Sequence, residues 1–382
     1  MIGLVAMQAP AAFAASLSDA DGDALPDEWE TAPAESKVPR TGKCTSKQRQ
    51  FKGKCVPKKC KKGRKLKHGK CVKKKHRPRH KHTKARASAI APTNLASLGA
   101  DPNHKDVFVQ VNYANESIRQ NLSCGDLDAI VAAFAKAPVS NPDGTTGVNL
   151  HIDAGVNCPG HNYNLGGSTI FNAGPCPTFG ETMQAIELPE SRIGTFHITG
   201  FSPLCGESGA AGVGDLGGTR SMLFTEGSGF AQVLMHELGH NFGLDHPYGY
   251  QPNRLSVMNS ALFVSNTGNS PEGEVLDYQR ISLPALDEKH LSETAGISAP
   301  SEAHRFFIPH VCPEGKGTPS AWPGDGPIDW NCNTPSPFDP PTIDSEPQEV
   351  DVNGDGQLTV LPATGPEWPT LDYASGGKIG PR

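Results

Sequence analysis

The chain has 382 residues, of which 36% are hydrophobic, with 42 Gly and 34 Pro, a composition that suits two or three compact units and a large share of loop. Its net charge of −5 hides an asymmetry: 23 of the 35 Lys and Arg lie between Lys37 and Arg86, where no acid occurs, leaving 12 basic against 40 acidic side chains elsewhere. Beyond the N-terminus no stretch is apolar over the roughly 20 residues that a bilayer span needs, and the basic stretch offers only Phe51 for base stacking. Neither a membrane-spanning helix nor sequence-specific reading of nucleic acid is therefore expected.

Residues 1–15 are apolar and end in Ala-Phe-Ala-Ala, which predicts a signal peptide, although without a positive n-region. Ten Cys, an even number, suit the oxidising compartment that export implies, so a secreted, extracellular protein is expected. In the following segment, 16–36, Asp19, Asp21, Asp23, Asp27 and Glu30 stand at positions 1, 3, 5, 9 and 12 of an EF-hand-like calcium loop. Ala24 occupies position 6, where the turn prefers Gly.

Residues 37–89 form a basic Cys repeat and linker. Cys44, Cys55, Cys60 and Cys71 recur with a period of 16, and two such small units need a staple, for which two disulfides are expected and zinc is the competing use. Charge at this density attracts anionic polymers such as cell wall, glycan or nucleic acid; a tether docking on the acidic remainder is the alternative. From 100 to 300 the pattern is that of a mixed α/β (α+β) domain. Strands are predicted at Asp106–Tyr113, Gly147–Ile152, Thr195–Gly200 and Met222–Thr225, a helix over Asp126–Ala137 and a turn at Asn141–Gly144.

Ser228 is placed to cap the next helix, which carries His236-Glu-Leu-Gly-His-Asn-Phe-Gly-Leu-Asp-His246. Two His four apart share one helix face, and Gly243 permits the positive φ that ends the helix and brings His246 round. Three imidazoles with one open position describe catalytic zinc. Glu237, beside the first ligand, suits a base acting on water. Leu283–Thr294 is predicted helical, and 301–382 is a Pro-rich region. There Asp351, Asn353, Asp355, Gln357 and Thr359 form a second calcium-like loop, with Pro362 where the bidentate acid should be. Cys124, Cys158, Cys176, Cys205, Cys312 and Cys332 are expected to pair as disulfides in one of 15 connectivities.

His236–His246, followed by Ser256-Val-Met258-Asn259, resembles the zinc signature and Met-turn of the metzincin metallopeptidases. The chain is similar to secreted bacterial metallopeptidase-like proteins of poorly defined substrate. The likeness rests on Lys105–Val109, Asn141–Gly144, Leu255–Asn259, Leu276–Tyr278, Leu283–Glu288 and Ile328–Asn331; it includes the first calcium-like loop and leaves the basic repeat outside as an insertion. The resemblance implies a two-lobed catalytic domain with a twisted sheet and a zinc-binding helix, Met258 packed beneath the metal, and hydrolysis of a protein or peptide substrate. The sequence departs from the pattern at Ser260, where many metzincins have Tyr, leaving Tyr248 and Tyr250 as oxyanion candidates. Asp245 is an alternative third ligand, and a calcium-stabilised surface or polyanion-binding protein with a residual site is the alternative function.

Overall fold

The computed structural model describes residues 18–25, 27–31, 94–174, 176–202, 210–224, 229–247, 249–262, 276–313, 323–334 and 340–373, and by backbone alone 48–51, 54–57, 64–67, 70–73 and 320–321. The described residues up to Thr31 and beyond Pro92 form one compact unit, and those between Ala32 and Ala91 another. The described residues of the second unit form two antiparallel hairpins, Gln48–Phe51 with Lys54–Pro57 and Arg64–Lys67 with Lys70–Lys73, so the sequence period reappears as a repeated backbone element. The expected signal peptide and the pairing of the four Cys in that repeat lie outside the described residues.

The larger unit is built on a five-stranded sheet. Strand β1 (Asp106–Tyr113) lies at its heart between β2 (Asn149–Asp153) and β3 (Phe196–Phe201); β5 (Arg220–Leu223) follows β3, and β4 (Gly212–Gly214) closes the row, giving the order β4-β5-β3-β1-β2. All pairings are parallel except the antiparallel β4–β5. The class is mixed α/β, in the α+β sense. Although β1 alternates in sequence, all eight of its residues are buried, because a central strand is covered on both faces. Its polar members are satisfied internally: Gln110 donates to Asn112 and accepts from Arg192, which also pairs with buried Asp153.

Helix α1 (Cys124–Ala135) starts at Ser123, whose hydroxyl accepts from the Asp126 N–H, and buries Leu127, Ile130, Ala133 and Phe134 at helical spacing. It packs on β2 and against helix α2 (Phe230–Asn241), which lies across β4 and β5. All twelve residues of α2 are buried, so this helix runs through the core and not along its surface. Its N-cap position is Gly229, with φ +101°; Ser228 lies outside the described residues. Trp368 and Leu371, from far along the chain, join the same core as α1 and α2.

The helix expected over Leu283–Thr294 does not form. Leu283 bridges to Thr364, Leu286–Asp287 pairs with Val360–Leu361, and Leu291 bridges to Gln348. Pro284 can donate no backbone hydrogen bond, and the carboxylates of Glu288 and Glu293 bind backbone N–H groups of distant loops, so long-range partners outweigh the local helical period. Disulfides join Cys124 to Cys158 and Cys312 to Cys332, and Cys176 is also disulfide-bonded. Among the described residues no helix is long and apolar enough to cross a membrane.

Candidate metal centre

Helix α2 brings His236 and His240 onto one face, and the chain then turns at Gly243, whose φ is +91°. His246 returns with its Nε2 2.8 Å from that of His236 and 3.0 Å from that of His240. The outer nitrogens settle the tautomers. Nδ1 of His236 donates to the Val257 carbonyl at 2.7 Å, and Nδ1 of His240 donates to the Leu244 carbonyl at 2.8 Å. Both inward Nε2 atoms therefore carry no proton of their own and face a third nitrogen at a separation that suits ligands around one small cation. Burial, above all, pushes the imidazolium of His236 down to about 3 and lowers that of His240, so both rings are neutral and able to bind a metal at neutral pH. Asp245, the alternative third ligand, accepts the His246 backbone N–H through Oδ1.

Glu237 is buried at 2% exposure, and its Oε2 has no hydrogen-bond partner. Desolvation pushes its carboxyl up to about 8, the range of a group that takes up and returns protons near neutrality. The wall beside it is β4, which sequence reasoning did not find. A Cβ added at Gly212 would lie 2.5 Å from Glu237 Oε1, and one added at Gly214 would lie 2.9 Å from Oε2. Glycine at alternate strand positions, a spacing visible in Gly212-Val-Gly214, is the signal of such a close approach. Beyond β4, the Gly217 N–H donates to the His240 carbonyl, and Asn241 ties α2 to Asp215 and Arg220.

The turn around Met258 supports the same helix from the other side. Met258 is fully buried, and a Cβ at Gly239 would stand 2.3 Å from its Sδ, so sulfur occupies the space that a side chain would take. Val257, its neighbour, supplies the carbonyl that orients His236. Tyr278 approaches the same glycine and donates its hydroxyl to the Met235 carbonyl at 2.6 Å. Arg254 holds the His246 loop by donating to the Asp245 carbonyl at 2.8 Å, and it is paired with Glu367 at 2.7 Å. Glu367 also binds Ser256 and the Gln279 N–H. No local pattern announces residues that meet from more than a hundred positions apart.

The first acidic loop folds against the sheet. Asp21, Asp23 and Glu30 converge with Asp106, the first residue of β1, all buried and with ligand atoms within 4.8 Å of one another. Asp19 and Asp27 are not in that group: Asp19 accepts the Gly22 and Ala24 N–H groups, and Asp27 accepts that of Ala20. Ala24 adopts φ +70°, so the turn that position 6 requires forms without glycine. In the second loop, Asp351 accepts the N–H groups of Gly354, Asp355 and Gly356; Asn353 accepts that of Asp355, and Asp355 that of Gln357. Thr359 donates to Glu288 through both its N–H and its hydroxyl. The loop touches the stretch that follows His246, since the Tyr250 N–H donates to the Asn353 carbonyl; Tyr248 lies outside the described residues. A scan against protein-family models finds no match for the chain, and a search of curated proteins finds none either.

Proposed function

We propose that this chain is a secreted zinc-dependent endopeptidase of the metzincin type, with His236, His240 and His246 holding the metal and Glu237 as general base. The observation that carries the reading is the convergence of three imidazoles, with His246 Nε2 2.8 Å from that of His236 and 3.0 Å from that of His240, beside a buried carboxyl with one oxygen unpartnered. When bound, zinc would supply the positive charge that acidifies water and polarises a peptide carbonyl. Glu237 then takes the proton of the attacking water and returns it to the leaving amine. Gly212 and Gly214 keep β4 free of side chains where it meets that carboxylate, and β4 is the terminal strand of the sheet, so an extended substrate can be held by main-chain hydrogen bonds. Disulfides at Cys124–Cys158 and Cys312–Cys332 accord with an oxidising compartment.

The test compares wild type with Glu237→Gln on mixed protein substrates, with and without a chelator, alongside zinc content. The variant should lose about 10²- to 10⁴-fold in turnover while keeping its zinc, and His236→Ala or His240→Ala should lose the metal. Chelator-insensitive hydrolysis, or unchanged turnover in Glu237→Gln, refutes the proposal; a zinc-loaded chain that cleaves nothing yet binds anionic polymers would favour the binding alternative.

A further inference from the structure

Glu30 is 2% exposed, and neither of its carboxylate oxygens has a hydrogen-bond partner. Asp21 Oδ2 is likewise buried and unpartnered. Both side chains point into the group completed by Asp23 and Asp106. The last two are held from behind: Asp23 accepts the N–H groups of Leu25 and Asp106, while Asp106 accepts that of Asp101 and bonds His151. Lys105 sits nearby, but its ammonium donates to the backbone carbonyls of Asp21 and Ser140. Burial first, and then the neighbouring carboxylates, raise Asp21 to about 6, Asp23 to about 9 and Glu30 to about 10. Four buried carboxylates can coexist only by sharing protons or by surrounding a cation.

We infer that Asp21, Asp23, Glu30 and Asp106 form one calcium site, in which a strand residue of the sheet completes the N-terminal loop and the ion clamps that loop to the start of β1. Oxygen-only donors of high charge select a hard cation with many ligands, calcium before zinc. The clamp joins segments separated by the whole unit between Ala32 and Ala91, and it seats Leu25 in the same apolar cluster as Leu95, Phe108 and Phe196. The site is independent of the peptidase reading, because none of its residues touches the histidine centre.

The full chain is stripped of metal, and thermal unfolding, bound calcium and released protons are followed as calcium, magnesium or zinc is added. Calcium should raise the melting temperature and release protons from the raised carboxyls, with magnesium and zinc less effective. Glu30→Gln removes a carboxyl that the metal-free protein can bury only by taking up a proton. It should therefore melt higher than wild type without calcium, lose the calcium-dependent rise and bind one calcium fewer. Asp106→Asn, which can still accept the Asp101 N–H, should bind calcium about ten-fold or more weakly. A purely structural Glu30 would make Glu30→Gln less stable with and without calcium alike. That result, or an unchanged calcium-dependent rise in either variant, overturns the site. Zinc content and peptidase activity, measured on the same samples, report separately on the histidine centre.

Discussion

Gly239→Ala would place a methyl group on α2 in the turn between His236 and His240. At an exposed helical position the change would stabilise the protein by about 1 kcal/mol. Here the new carbon would stand 2.3 Å from Met258 Sδ and 3.0 Å from Tyr278 Cε1, and both partners are fully buried. Overpacking of this kind costs about 1 to 3 kcal/mol; with two rigidly held neighbours the upper part of that range applies, for a net loss of about 1 to 2 kcal/mol. Met258→Ala alone should cost about 2 to 5 kcal/mol by leaving a cavity. Combined, the added methyl enters the vacated space, and the double variant should be less damaged than the sum of the single variants by about 1 to 3 kcal/mol. Urea denaturation of the metal-stripped protein measures the cycle, and competition with a zinc chelator reads whether displacing the turn weakens the metal site. A more stable Gly239→Ala, or strict additivity with Met258→Ala, would refute the packing of Met258 beneath the helix.

His197 is buried, and desolvation holds its imidazolium down to about 4, against the hydrogen bond that its Nδ1 donates to Asn241 Oδ1, which raises it. Its folded pKa is below its unfolded value, so the unfolded chain binds more protons between about pH 6.5 and 4, and stability present above that window falls by about 3 kcal/mol as acid is added. His197→Gln should lose that part of the acid sensitivity in equilibrium unfolding at several pH values; an identical pH slope would refute it. Glu288 is fully buried and accepts the N–H groups of Val352, Asn353 and Thr359. Glu288→Ala should therefore cost about 3 kcal/mol or more, with faster hydrogen exchange at those three amides, and unchanged exchange would show that the carboxylate does not staple the second loop.

The strands at Asp106–Tyr113 and Phe196–Phe201 and helices α1 and α2 could be read from residue type and spacing, but only α1 buries just the face its sequence marks; both strands and α2 are buried on every side. The three histidines were legible for the same reason: one helical turn and one positive-φ glycine fix their relative positions within eleven consecutive residues. The failure at Leu283–Thr294 shows the limit of such reasoning. Its apolar spacing fits a helix, yet Leu283, Leu286 and Leu291 are buried through pairings with Thr364, Leu361 and Gln348.

By itself the sequence determined what local geometry can hold: the helix face shared by His236 and His240, Glu237 beside it, the acidic loops and the repeat that becomes two hairpins. Only the tertiary structure decided which distant groups complete them. It set Gly212 and Gly214 against Glu237, Met258 beneath Gly239, Glu367 on Arg254, and Asp106 among the carboxylates of the first loop. The physical reason is that these contacts are chosen by sheet order and core packing over the entire unit, while a sequence window records only the neighbours that one turn or one strand can bring together.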